Sequence, residues 1–218
     1  MTSSHSAGAS FGARWHVPLL GLGLVMLLTF AVACQSSSPS PDVGGAAVSA
    51  LASSAPPVPM PSFELPSSDE TDPPLEMTVP ALKLDATVTA VGVDPKSGDF
   101  DVPPSVDRVG WYKFGPGVSA EQGSIVIAGH VDSAEQGKGA FFKLGSLSPG
   151  DRITLGGASG EKKFKVVGRE RYAKTKIPLD KYFARDGALR MTLITCGGPF
   201  DAETGHYRDN VVVTATPL

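Results

Sequence analysis

The sequence predicts an all-β domain carried behind an N-terminal membrane segment and a spacer. Three observations carry that prediction. Residues 17–33 read VPLLGLGLVMLLTFAVA, without a charge. Residues 35–74 are rich in Ser, Pro and Ala and contain no Lys or Arg. From about residue 76 onward, short runs of β-branched residues recur between turn signals.

The apolar run reaches about 20 residues when Trp15 and Cys34 are included, enough to cross a bilayer core as a helix. Arg14 is the only basic residue before it, and the next is Lys83. That bias puts the N-terminus in the cytoplasm and the rest of the chain outside the cell membrane. Ala31-Val32-Ala33 also fits a signal-cleavage site, and the same residues followed by Cys34 resemble a lipoprotein signal. An uncleaved anchor, a lipidated Cys34 and a cleaved signal all stand open, with tethering favoured. Residues 1–34 are therefore assigned to the cytoplasmic start and anchor.

Residues 35–75 form the spacer. Their composition cannot bury enough apolar surface to offset chain entropy, so they are expected to be disordered. Prolines at 56, 57, 59, 61, 66, 73 and 74 favour an extended form. Forty residues at about 3.1 Å each would reach on the order of 120 Å.

Residues 76–218 form the domain. Strands are expected at 77–80, 82–93, 100–103, 124–131, 152–156, 162–174, 189–196 and 210–216, with helical turns at 139–145 and 178–183. The spacing does not suit βαβ units. It suits an antiparallel, closed barrel or sandwich of about eight strands. The whole chain has a net charge of −3, and this domain holds 18 of the 19 basic residues against 17 of the 22 acidic ones. A near-neutral domain argues against nucleic acid as a partner. The basic residues between Lys162 and Lys176 read as solvated faces of a hairpin. A monomer is expected.

Three apolar strands end at reactive residues. Ser124-Ile-Val-Ile-Ala-Gly leads into His130, Met191-Thr-Leu-Ile-Thr leads into Cys196, and His206-Tyr-Arg208-Asp-Asn precedes the last strand. A disulfide from Cys34 to Cys196 would have to cross the spacer, so Cys196 is expected to be a free thiol. A thiol needs a neighbouring imidazole to become a thiolate and to protonate a leaving amine. Attack on an amide also creates an oxyanion, and a guanidinium that never loses its charge can stabilise it. Each residue has a plainer reading: a core cysteine, a structural histidine, a solvated arginine. Spacing alone does not decide between the two. Asp132, two residues beyond His130, is either a turn residue or an orienter of the imidazole. His206 is a rival base. Zinc is disfavoured because paired ligands at short spacing are absent. Trp111, Tyr112, Phe141 and Phe142 read as core or groove wall.

Thr192-Leu193-Ile194-Thr195-Cys196 resembles the TLxTC signature of sortases, and the order His, Cys, Arg is also theirs. Ala128-Gly129-His130 resembles their histidine segment. The continuations Cys196-Gly-Gly-Pro-Phe-Asp and Gly205-His-Tyr-Arg-Asp-Asn-Val-Val-Val are similar to class E and F sortases, F more than E. The resemblance spans about 76–218. It implies an eight-stranded sortase barrel and a cysteine transpeptidase that cleaves an LPxTG-like signal between Thr and Gly. The cleaved protein would pass through a thioacyl intermediate to an amine acceptor such as a wall precursor or a pilin lysine, with hydrolysis as the side reaction. Cys196 would be the nucleophile, His130 the acid–base group, Arg208 the oxyanion partner, and Thr195 a contact to the substrate backbone. No cofactor is implied, and no calcium cluster is evident. The alternative is a non-catalytic surface barrel that binds peptides or wall material.

Overall fold

The computed structural model describes residues 42–53, 72–94 and 100–218. Eight strands close a barrel in the spatial order β1 (Pro74–Val79), β2 (Leu84–Val91), β3 (Val109–Tyr112), β4 (Ser124–Gly129), β9 (Arg190–Asp201), β10 (His206–Pro217), β8 (Gly160–Ala173), β7 (Arg152–Gly157) and back to β1. The strands β5 (Asp132–Ser133) and β6 (Gly137–Lys138) form a small separate hairpin just after β4. A helix α2 (Leu179–Tyr182) interrupts the connection from β8 to β9. The expected closed, eight-stranded, all-β architecture is present.

Alternation along the strands fills the interior. Met77, Val79, Trp111, Ile125, Ile127, Ile153, Leu155, Phe164, Met191, Leu193 and Val213 pack into one core. Phe141, Leu144 and Leu147 cap it from the segment after β6. Trp111 and Phe141 are therefore core, as one of their two readings had it, whereas Phe142 is exposed.

Three details differ from the sequence reading. Residues 101–103 form no strand, and Phe100 makes only an isolated bridge to Val93. The strand there is β3, which begins at Val109. Not every ladder is antiparallel: β2 runs parallel to β3, and β4 parallel to β9. Part of the stretch expected to be a disordered spacer is ordered. Val43 bridges to Arg169, Asp42 accepts a hydrogen bond from the Arg171 backbone, and α1 (Gly45–Ser53) packs on β8. Val48 of α1 is buried against Tyr182 and Val212 on the outer wall of the barrel. Nine residues are too few for a stable isolated helix, so this docking accounts for the order of α1.

A buried polar knot lies in the same patch. Tyr172 and Tyr182 both donate to Glu170, at 2.9 and 2.8 Å, and Lys181 pairs with the same carboxylate at 3.1 Å. Burial and these contacts push the Tyr182 phenol far above its ordinary range, so it stays a donor.

No helix among the described residues is long and apolar enough to cross a membrane. The run at 17–33, with Cys34, and the spacer residues 54–71 lie outside the described residues.

Val48→Asp places a charge in the α1 interface. We expect it to lower the melting temperature of the full chain by about 5 °C, from a loss of about 2 kcal/mol of apolar burial. Thermal unfolding followed by circular dichroism checks this, and an unchanged midpoint would mean that α1 adds nothing to stability.

Candidate active site

The parallel pair β4–β9 sets up the site. Its register matches Ile125 with Met191, Val126 with Thr192, Ile127 with Leu193 and Ala128 with Ile194. Ile125, Ile127, Met191 and Leu193 face the core. Their alternates face outward, and Ile194 packs on the outer cluster with Val212. Two residues further along the same register and the same face come His130 and Cys196. The register thus carries His130 and Cys196 toward the same rim of the barrel. Cys196 is a free, half-buried thiol, as expected.

Thr195 points the other way. It is buried, and its hydroxyl donates to the Gly129 carbonyl at 2.8 Å. Strand alternation turns this hydroxyl toward β4, away from the face of Cys196, whereas the contact with a substrate backbone was the expectation. It ties β9 to β4 immediately before the two reactive residues.

His130 is held from the opposite side. Its Nε2 lies 2.9 Å from the carbonyl oxygen of Pro103. A carbonyl only accepts, so Nε2 carries the proton and Nδ1 is left for proton exchange. Pro103 is buried, and its ring packs over Gly110, where a side chain would collide with it. The His130 carbonyl accepts from the Phe141 backbone at 3.0 Å. Gly139 rests against the His130 backbone, where any Cβ would overlap the His130 carbonyl. The imidazole is therefore fixed by the β2–β3 connection and by the residues after β6.

Arg208 lies on β10, the other neighbour of β9. Asn210 pairs with Cys196, and the register slips between Tyr207 and Asp209. The guanidinium is exposed and turned to Asp201, with Nε and Nη2 at 3.3 and 3.1 Å from Oδ2. Asp201 Oδ1 accepts from the backbone of Glu203 and Thr204. Those two bonds, then Arg208, hold the Asp201 carboxyl below the usual carboxylate range. His130 and Cys196 follow at the ends of adjacent strands, and Arg208 lies one strand beyond, with its side chain anchored on Asp201.

Tyr207 was not anticipated. Its hydroxyl donates to Asp132 Oδ2 at 2.6 Å, which joins the start of β10 to the hairpin that follows His130. Hydrogen bonding to Asp132, with burial and the negative charges of Asp132 and Cys196, pushes the phenol up to about 12. The bond to Tyr207 answers the question about Asp132: its carboxylate orients the β10 arm, while Pro103 orients the imidazole. The one available signal for Tyr207 was its place between His206 and Arg208. His206, the rival base, is exposed opposite Asp201 at the far end of the β9–β10 hairpin.

Tyr112 faces outward beside this surface and meets Phe183 edge-on at 5.2 Å, with Phe100 and Phe114 adjoining. Phe183 belongs to the β8–β9 connection, which Arg190 secures by donating to the carbonyls of Lys181, Asp186 and Ala188. Burial lowers the Arg190 pKa from its ordinary value, yet the side chain keeps three acceptors. An aromatic and ordered wall thus flanks the outer face of β3 and β4.

A comparison with curated protein sequences finds no match. The fold is similar to solved structures. Sortase C1 of GBS Pilus Island 1 aligns at 17% identity and a TM-score of 0.51, over 66% of this chain and 64% of that one. A Streptococcus agalactiae sortase C1 aligns at 16% identity and 0.53, over 80% and 82%. Sortase A from Corynebacterium diphtheriae, as a lid mutant, aligns at 16% identity and 0.50, over 69% and 73%. At these identities the likeness speaks for the barrel alone. The sequence itself matches the sortase domain model over residues 77–218, and by that match the chain belongs to the sortase family.

Proposed function

We propose that this chain is a membrane-tethered, extracytoplasmic cysteine transpeptidase of sortase class E or F, with class F favoured. The observation that supports the reading is the parallel β4–β9 register, whose continuation leads His130 and Cys196 to one rim. The donor is a surface protein with an LPxTG-like signal.

Cys196 passes its thiol proton to Nδ1 of His130, and the resulting thiolate attacks the carbonyl carbon of the signal's Thr. The amide C–N bond breaks, and His130 gives its Nδ1 proton to the departing glycine amine. The protein is held as a thioacyl enzyme. An incoming primary amine then attacks the same carbon, loses its proton to His130, and expels the thiolate. Water in the amine's place gives hydrolysis. Arg208 supplies its guanidinium to the oxyanion in both steps. Asp201 holds Nε and Nη2 of that guanidinium, which leaves Nη1 for the reacting carbonyl. Tyr207, through Asp132, holds the arm that carries Arg208 against the His130 segment. The run at 17–33 supplies the tether, and wall peptides or pilin lysines are the acceptors.

Cys196→Ala is expected to abolish cleavage of an LPxTG peptide followed by mass spectrometry; full residual activity would remove the nucleophile assignment. Arg208→Lys is expected to lower kcat by about 10²-fold, the loss typical of a missing oxyanion donor; a near-normal rate would make Arg208 structural. Tyr207→Phe is expected to lower kcat/KM several-fold. A phenol raised to about 12 keeps its proton below about pH 10, and its contribution is lost only as pH rises toward 12. The ratio of wild-type to variant rates should therefore be flat between about pH 6 and 9. A ratio that changes within that window would show that Tyr207 acts on a different titrating group.

A further inference from the structure

The matched domain begins at residue 77, yet residues 42–53 are built onto the same barrel. Val43 and Arg169 exchange backbone hydrogen bonds at 2.9 and 2.8 Å. Gly44 follows with φ +76°, so close to β8 that an added Cβ would collide with the Val167 carbonyl. A Cβ added at Gly45 would stand 3.8 Å from Glu170 Oε1, so α1 starts beside that carboxylate. A negative charge at a helix start is favourable. Val48 then closes over Tyr182, which is 1% exposed. Glu170 also takes the Tyr182 hydroxyl and the Lys181 ammonium. The start of α1 and the end of α2 thus share one carboxylate.

Tyr182 leads directly into Phe183, whose ring meets Tyr112 edge-on at 5.2 Å and Phe100 at 6.1 Å. Phe183 and Ile194 both pack against the cluster to which Val48 belongs. Ile194 lies on β9 two residues before Cys196 and shares its face. Both are half-buried, about 7 Å apart along the strand. One apolar cluster therefore joins α1, the β8–β9 connection and the face of β9 that carries the thiol. We propose that residues 42–53 clamp the β8–β9 connection in the conformation that takes up the peptide donor, with Val48 as the positioning residue. This rests on the transpeptidase reading above. With α1 seated, Tyr182 is covered and the single turn of α2 is held from outside. Without it, that turn keeps its bonds to Glu170 and the link from the Lys181 carbonyl to Arg190, but loses its apolar cover. Four residues do not hold a helix alone. Donor binding would then have to order the connection, and apparent affinity falls by the fraction of chains already ordered. The bond-making steps at Cys196 and His130 are untouched, so α1 acts on KM and leaves kcat.

The test uses the full chain and an LPxTG peptide donor. Two substitutions unseat the segment by different routes: Gly44→Val against the β8 backbone, and Val48→Asp against Tyr182. Val48→Ile keeps the apolar contact. We expect KM to rise about tenfold in both unseating variants, with kcat within about twofold of wild type and Val48→Ile close to wild type in both constants. Circular dichroism at the assay temperature verifies that the barrel is folded. In parallel, hydrogen exchange at the amides of residues 179–184 should quicken in both unseating variants and not in Val48→Ile. A purely structural α1 would lower the melting temperature while KM and exchange at 179–184 stay as in wild type, and that result overturns the proposal. A fall in kcat at unchanged KM overturns it too, as does a loss in Val48→Ile equal to that in Val48→Asp. Failure of the wild type to cleave the donor would instead overturn the transpeptidase reading, and the exchange measurement would still decide whether α1 holds the connection.

Discussion

Parallel pairing between β4 and β9 is the constraint on which the site depends. Antiparallel neighbours could bring two strand ends together only at a turn. Parallel neighbours run side by side and finish at the same rim, each carrying an alternate-facing residue to the same height. Because the side-chain period is two, a slip of one residue would turn either His130 or Cys196 into the barrel. Several interactions pin that register. The Ser124 and Thr192 hydroxyls meet at 2.8 Å low on the pair, and Thr195 reaches the Gly129 carbonyl at its top. Core residues at 125, 127, 191 and 193 fill the interior between these two ties. The threonine that precedes the thiol thus matters through alignment.

Around this pair the polar side chains divide their work. The Pro103 carbonyl fixes the imidazole, Asp132 engages Tyr207, and Asp201 engages Arg208. His130, Tyr207 and Arg208 are thus each anchored by a different acceptor. Among the described residues no hydrogen bond competes for the thiol, which is half-buried at the end of β9.

Much of this was readable in the sequence, and the gaps have physical causes. Strands with long β-branched runs, such as Ser124–Gly129 and Arg190–Cys196, announced themselves, and so did the reactive residues at their ends. The four residues of β3 did not, because Val-Gly-Trp-Tyr is short and its glycine serves the packing of Pro103. The residues at 100–103 looked like a strand by composition, but prolines at 103 and 104 interrupt any ladder. Strand direction leaves no mark in local composition, so the two parallel pairs were not foreseen. The helix α1 was hidden by its surroundings: Gly-Ala-Ala-Val-Ser-Ala-Leu-Ala-Ser reads as spacer until Val48 finds Tyr182 and Val212. The inward turn of Thr195 was in principle legible, since alternation from Leu193 requires it. Tyr207 was not, because its partner Asp132 is 75 positions away.

The docking of α1 also resets the leash. With the spacer wholly free, some forty residues would let the domain roam on the order of 120 Å from a bilayer. Once Asp42 and Val43 are fastened to β8, only the eight positions from 35 to 42 remain between the proposed anchor and the barrel, about 25 Å when stretched. For a chain tethered through the proposed anchor, seating α1 would shorten the barrel's reach and releasing it would lengthen that reach several-fold.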